Sequence, residues 1–245
     1  MTLSTLSSNS RRALITGASR GIGRATALAF AKAGVASILV GRSRSDLKIV
    51  AEEVEALGSE ATVVSLDLSE TSHIQNRLAA VLGAHGFVDI LVNNAGIGYT
   101  APLLNTPLDD WEKILALNLT APFQCIQAVL PQMRSQGQGT IVNIISIAGR
   151  QTFPEWGAYS ASKFGLMGLT KTLAQEERAH GIRVIALCPG AVNTPLWDTK
   201  TVQADFDRSQ MLSAEDVADA IVHAVLLPAN VLIEELVLMP NVGTF

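Results

Sequence analysis

The sequence predicts an α/β fold: a single domain over residues 12–245, built as a doubly wound parallel sheet of about seven strands with helices on both faces. Three observations predict it. Short β-rich runs alternate with longer amphipathic stretches from end to end. Several of the short runs are almost continuous Val, Ile and Leu, as expected when both faces of a parallel sheet are covered. No repeat, low-complexity block or linker divides residues 12–245, and 245 residues of which 48% are hydrophobic suffice for one sizeable core.

The elements follow in order. Residues 1–11 are Ser/Thr-rich, lack the apolar centre of a secretory signal, and are expected to form a flexible tail. Strands are predicted at 13–16, 37–40, 62–66, 90–92, 140–145, 183–187 and 235–239. Between the second and third, residues 46–57 place Leu47, Val50, Val54 and Leu57 on one helical stripe. Ser213-Ala214-Glu215-Asp216, followed by Val217, Ile221, Val222 and Val225, has the form of a capped helix start. Two long helical stretches, 108–134 and 159–180, are apolar on more than one face; a second apolar face predicts a homodimer or homotetramer.

Composition narrows the function. The net charge is −4, with no basic run beyond Arg11-Arg12, which argues against a nucleic-acid partner. Charges, Gly and Pro interrupt the longest apolar runs, so no membrane span is expected. Cys125 and Cys188 lie in apolar runs and are expected as buried reduced thiols, which suits a cytoplasmic protein. His73, His85, His180 and His223 lack metal-ligand spacing, and no metal is expected.

The first strand runs into Gly17-Ala18-Ser19-Arg20-Gly21-Ile22-Gly23, and a helical pattern begins there. Glycines allow a tight turn and close approach to a ligand, and a helix start offers free N–H groups and a positive dipole end to a pyrophosphate. The spacing, G-x-x-x-G-x-G, differs from the common dinucleotide fingerprint. At the end of the second strand, where an NAD site usually carries a carboxylate for the ribose 2′-hydroxyl, the chain has Val40-Gly41-Arg42-Ser43. Arg42 and Arg20 are placed to pair with a 2′-phosphate, which favours NADP(H) over NAD(H). Further along, Tyr159 and Lys163 stand four residues apart, hence on one face of a helix. Such spacing is common by itself, but an ammonium beside a phenol favours the phenolate and brings its pKa towards the range general acid–base chemistry uses.

These motifs together resemble the short-chain dehydrogenase/reductase family, from about Arg12 to the C-terminus. The resemblance rests on 16–23, Asp67-Leu68, Asn93-Asn94-Ala95-Gly96, Asn118, Ser146, the Tyr159/Lys163 pair, and Pro189-Gly190 with Thr194. It implies a Rossmann-type fold and an NADPH-dependent oxidoreductase that reduces a ketone or aldehyde to an alcohol. By resemblance, Asn118, Ser146, Tyr159 and Lys163 are catalytic: Ser146 holds the substrate carbonyl, Tyr159 exchanges the proton, and Lys163 binds the nicotinamide ribose and lowers the Tyr159 pKa. The same resemblance assigns Gly17, Ser19, Arg20, Gly21, Ile22, Gly23, Arg42, Asp67, Leu68, Asn94, Ala95, Gly96, Pro189, Gly190, Val192 and Thr194 to the cofactor. Asp67 is expected at the adenine, Asn93 at the floor of the adenosine pocket, and Thr194 at the carboxamide.

Asn118 also carries a physical signal. It interrupts an apolar stripe, and Pro122, four residues on, has no N–H to give its carbonyl. A bent helix with a free carbonyl is expected there, and by resemblance one end of a proton relay.

The substrate end is read from Gln151, Phe153, Trp156, Val192, Leu196, Trp197 and Met211, an apolar and partly aromatic set that suits a hydrophobic carbonyl compound. A 3-oxoacyl-carrier-protein reductase is the alternative. Gly137 and His180 stand where those enzymes typically place basic residues for an acidic carrier. A non-catalytic NADP-binding sensor or structural subunit is the remaining reading, and the complete catalytic set speaks against it.

Overall fold

The computed structural model describes residues 11–204 and 206–243. The predicted N-terminal tail, apart from Arg11, lies outside the described residues.

Seven strands form one parallel sheet: β1 (Arg12–Thr16), β2 (Ala36–Gly41), β3 (Ala61–Ser65), β4 (Ile90–Asn93), β5 (Gly139–Ile144), β6 (Ile182–Pro189) and β7 (Glu235–Leu238). Their order across the sheet is β3-β2-β1-β4-β5-β6-β7. Winding runs outward from β1 to β3, then returns to the other side of β1 with β4. The switch point between β1 and β4 opens a crevice at the carboxyl ends of the strands, where ligands of such sheets bind. All seven predicted strands are present, with ends that differ by a residue or two.

The helices are α1 (Gly21–Lys32), α2 (Arg44–Ala56), α3 (Thr71–His85), α4 (Leu108–Leu115), α5 (Ala121–Gln136), α6 (Gly157–Glu177) and α7 (Ala214–Leu226). Side-chain alternation along the strands builds two cores. Ala13, Ile15 and Leu39 face α1, α2 and α7, where Phe30, Val50, Val54, Val217 and Ile221 are buried. Leu14, Ile38 and Leu91 face the opposite layer, with Ile74 and Leu78 of α3 and Ile126 and Val129 of α5. α7 starts at the capping box predicted for Ser213 and Asp216. In the 46–57 stripe Leu47, Val50 and Val54 are buried, but Leu57 is exposed, because α2 ends one residue before it.

The membrane expectation needs one correction. α4 and α5 join across a widened turn into a continuous helical run, Leu108–Gln136, long and apolar enough to span a bilayer by length and composition. Composition along a helix does not separate a span from a core helix. Here Ile114, Cys125, Ile126, Val129 and Met133 are buried within the protein.

Near the far ends of α5 and α6, Arg134 grips the buried Glu177 through two parallel bonds, Nε to Oε2 at 2.8 Å and an Nη to Oε1 at 2.5 Å. The pairing holds the Glu177 carboxyl below its ordinary value. A depressed carboxyl contributes stability above its unfolded pKa of ~4.3 and loses that contribution as pH falls through the folded value. Arg134→Ala is therefore expected to lower the melting temperature at pH 7, by leaving a buried carboxylate unpaired. The gap to wild type is expected to shrink as acid neutralises that carboxylate, and melting curves of both proteins from pH 7 down to about pH 3, below the unfolded carboxyl pKa, check this.

Candidate active site

The Gly-rich turn leaves β1 at the switch point and enters α1. Gly17 has φ +65°, and a Cβ there would lie 2.9 Å from the Ala95 Cα, so neither conformation nor space admits a side chain. A Cβ on Gly23 would fall 2.3 Å from the Gly17 carbonyl oxygen and 2.6 Å from Asn94 Nδ2. Gly23 thus acts by letting α1 pack onto the turn and does not itself line the cleft. Thr16 and Asn94 fasten the crossing. The Thr16 hydroxyl accepts from the Asn94 and Ala95 N–H groups, both at 3.0 Å. Asn94 Nδ2 donates to the Thr16 carbonyl at 2.9 Å and to the Gly17 carbonyl at 3.2 Å. No side chain caps the start of α1. Its first N–H groups, a positive dipole end and a side-chain-free approach together make a cradle that fits a pyrophosphate.

This cradle is one wall of a cleft of about 550 Å³. Of the residues assigned to the cofactor, Gly17, Ser19, Arg20, Gly21, Ile22, Arg42, Asp67, Leu68, Asn94, Ala95, Gly96, Pro189, Gly190, Val192 and Thr194 line it. Burial pushes the Asp67 carboxyl up, but hydrogen bonds from the Ser69 N–H and hydroxyl and the charge of Arg42 outweigh it, and Asp67 lies below its ordinary value. Asn93 is a correction: it does not reach the cleft. Its side chain is buried on the far side and donates to Asn143 Oδ1 at 2.8 Å, and Asn143 in turn donates to Thr170 at 2.9 Å. Asn93 ends β4 with its side chain on Asn143, whereas Asn94, the first residue beyond the strand, turns its side chain to Thr16 and Gly17, so the two do not share one role.

Ser146, Tyr159 and Lys163 meet at the other end of the cleft. Ser146 follows β5, and its hydroxyl accepts the Ala148 N–H at 3.1 Å. Tyr159 and Lys163 project from one face of α6, with the Lys163 ammonium 5.7 Å from the centre of the Tyr159 ring. Lys163 is buried and donates to the Ile144 carbonyl at 2.9 Å. Burial drives its pKa down to about 8, so the ammonium persists at neutral pH. The expectation that Lys163 lowers the Tyr159 pKa is corrected for the protein alone. Burial pushes the phenol above its ordinary value, and only a hydrogen bond with Ser146 opposes that. A phenol so placed keeps its proton at pH 7.

Asn118 sits inside the widened turn, a π-helical stretch (Ala116–Thr120) that joins α4 to α5 just before Pro122. Wide turns of this kind recur at functional sites and relieve a lost i→i+4 bond. The Asn118 side chain is fully buried and behaves like a strand neighbour: Oδ1 accepts the Ile97 N–H at 2.9 Å, and Nδ2 donates to the Ile97 carbonyl at 3.0 Å and to Ser162 Oγ at 3.1 Å. Asn118 does not line the cleft. It fixes the Gly96-Ile97 segment that does, and a Cβ on Gly96 would stand 3.1 Å from Asn118 Oδ1.

Beyond Tyr159 the cleft wall is aromatic. Trp156 meets Tyr159 edge to face at 5.3 Å, Trp197 meets Trp156 at 5.9 Å, and Phe206 meets Trp197 at 5.4 Å. Phe153 and Leu196 line the same wall, whereas Gln151 and Met211 lie outside it. Sequence reasoning missed Ile97, Gly98, Lys113, Leu117, Ile147 and Phe206 as lining residues. Ile97 and Gly98 directly follow the Asn-Asn-Ala-Gly motif and were within reach of it. Phe206 carries no local pattern that would have singled it out.

Comparison with known proteins bears on this geometry. The family model for the short chain dehydrogenases matches residues 11–205. The chain belongs to the short-chain dehydrogenase family. Among its relatives, a 3-oxoacyl-[acyl-carrier-protein] reductase of Synechocystis is 40% identical, over 75% of each chain. Among solved structures, a metagenomic short-chain oxidoreductase in complex with NADP has a TM-score of 0.83 and 34% identity, covering 94% of this chain and 97% of its own. An alcohol dehydrogenase from the archaeon Thermococcus sibiricus, complexed with 5-hydroxy-NADP, has a TM-score of 0.87 and 30% identity, covering 95% and 97%. This chain, as a family member, is an oxidoreductase with a Rossmann-type fold.

Asn118→Ala removes three hydrogen bonds and leaves both polar groups of the Ile97 peptide without these partners. A loss of stability of about 1–3 kcal/mol is expected, read from denaturant unfolding.

Proposed function

We propose that this protein is an NADPH-dependent reductase of ketones or aldehydes. The observation that carries the reading is the layout of one cleft: Arg20 and Arg42 at its nucleotide end, a pyrophosphate cradle in the middle, and Ser146, Tyr159 and Lys163 at the far end. The NADP and NADP analogue held by the similar solved structures support the same cofactor here.

When bound, the reduced nicotinamide supplies a hydride to the carbonyl carbon. The protein handles the oxygen. The Ser146 hydroxyl donates to the substrate oxygen and stabilises the charge that develops on it. Tyr159, kept protonated by burial, delivers its proton to that oxygen. Lys163 holds a positive charge beside the phenol and steadies the phenolate that forms. Gly17, Gly21 and the start of α1 would hold the pyrophosphate; Asp67 and Leu68 would flank the adenine; Thr194 and Val192 would face the carboxamide.

The aromatic wall favours hydrophobic carbonyl compounds. The Synechocystis relative keeps a 3-oxoacyl-carrier-protein substrate as a second reading. Against it, Gly137 and His180 leave the carrier-docking positions without the usual pair of strong bases. The reading places the enzyme in the cytoplasm as a homodimer or homotetramer. Phe123 on α5 and Phe164 on α6, 39% and 43% exposed, supply apolar contact outside the sheet-facing sides of these helices.

Tyr159→Phe is expected to lower kcat for ketone reduction by about 10²- to 10⁴-fold, with NADPH binding retained. Loss of absorbance at 340 nm across aryl ketones, β-keto esters and acyl thioesters measures it. Wild-type protein inactive on the whole panel would defeat the proposal. Arg42→Ala is expected to reduce the NADPH-over-NADH preference in kcat/KM by about 10- to 100-fold, since a charged hydrogen bond to the 2′-phosphate is lost.

A further inference from the structure

Thr194 and Trp197, which face the cleft from the short stretch after Gly190, do not hold their own positions. Thr194 lies against the Gly-rich turn, where a Cβ on Gly21 would be 3.3 Å from Thr194 Cγ2. Trp197 belongs to a single 3-10 turn, Pro195–Asp198, and its indole Nε1 donates to the Val192 carbonyl at 2.8 Å. No strand or α-helix carries either residue. What secures them is a side chain outside the cleft. The guanidinium of Arg208 donates through Nε to Asn193 Oδ1 at 2.9 Å, through one Nη to Asp198 Oδ1 at 2.5 Å, and through the other to the Thr194 carbonyl at 3.1 Å. The three acceptors bracket Thr194 and Trp197 in sequence.

Arg208 is itself held. It opens a 3-10 turn whose preceding residue, Asp207, accepts from the Ser209 N–H at 3.0 Å, the Ser209 hydroxyl at 2.7 Å and Gln210 Nε2 at 3.0 Å. A short backbone pairing closes the other side: Asn193 N–H donates to the Leu212 carbonyl at 2.8 Å, and Leu212 N–H to the Ala191 carbonyl at 3.0 Å. The two stretches, 191–198 and 206–212, are thus bound by a small backbone bridge at one end and by the Arg208 fork at the other.

We propose that Arg208 is a positioning residue of this active site: its fork latches the stretch that presents Thr194 to the cofactor and Trp197 to the substrate. The proposal rests on the reductase reading for its kinetic consequences, but not for its structural ones. A planar fork can serve three acceptors in three directions, whereas an ammonium on a flexible stem cannot hold the same set. Arg208→Lys should therefore behave like Arg208→Gln rather than like wild type.

The test uses the whole chain, four single variants (Arg208→Gln, Arg208→Lys, Asp198→Asn and Trp197→Phe), and each Arg208 variant combined with Trp197→Phe. Acrylamide quenching of tryptophan fluorescence without any cofactor comes first. Both Arg208 variants are expected to raise the quenching constant about twofold, and this rise should vanish when Trp197→Phe is added. NADPH titration and ketone kinetics follow. The expected pattern is a kcat/KM about 10- to 100-fold lower with a raised KM for the ketone, since a displaced positioning group alters substrate geometry. Asp198→Asn, which disturbs one of the three bonds on an exposed side chain, should show the same split more weakly, and it serves if the Arg208 variants fail to fold. Unchanged quenching in Arg208→Gln, or wild-type quenching and kinetics in Arg208→Lys, would overturn the latch. Wild-type protein that reduces no carbonyl would instead defeat the proposed function, while quenching still decides the latch.

Discussion

The crossing of β1 and β4 is the constraint on which the rest depends. A parallel sheet that reverses its winding direction at one point leaves a crevice there, but a crevice is useful only if the chain on both sides can come close. Gly17 and Ala95 achieve that through backbone contact, with a missing side chain on one and a small one on the other. The Thr16 hydroxyl and the Asn94 amide then satisfy the polar groups that such close approach strands. From this knot α1 leaves in one direction with its uncapped start, and the Gly96-Ile97 segment leaves in the other towards Asn118 and Lys163.

The chemical end is built on an expensive arrangement. A buried ammonium normally sheds its proton, and Lys163 is indeed depressed. It keeps its charge at neutral pH with the Ile144 carbonyl as its hydrogen-bond acceptor. Asn118 is pinned by the Ile97 peptide and Ser162, and a Cβ on Gly96 would lie 3.7 Å from the ammonium. The carboxyl end of β5, the segment after β4 and α6 therefore converge on one atom. That convergence explains why residues so far apart in sequence form a single constellation, and why the site sits on rigid elements while its substrate wall depends on short turns.

How much of this was legible in the sequence follows from the same division. Periodicity in Val, Ile and Leu marks strands because two covered faces demand it, and all seven strands appear where that pattern stands. The Gly-rich turn and the Tyr159/Lys163 pair were legible because their spacing has a direct geometric meaning. Asn93 was misplaced because two neighbouring Asn residues look alike until the strand end between them sends one to Asn143 and the other to the Gly-rich turn. The Tyr159 pKa was misjudged because burial, which spacing does not report, outweighs the one influence that opposes it, the hydrogen bond with Ser146. Gln151, Met211 and Phe206 lie in or beside irregular segments, where no period relates sequence position to direction in space. Leu57 failed for a smaller reason: a helix that stops one residue early releases its last apolar side chain to solvent.

The widened turn before Pro122 has one more consequence. Such a turn holds one residue more than a regular helix of the same rise, so everything after it is rotated by about 100° relative to an uninterrupted helix. Rewinding residues 116–120 as regular helix with the same number of residues would swing Cys125, Ile126 and Val129 off the sheet, whereas deleting one residue there would restore regular winding and keep them on it. The local irregularity thus sets which side of a sixteen-residue helix faces inward, and the protein cannot straighten it at the same length without turning that side away from the sheet.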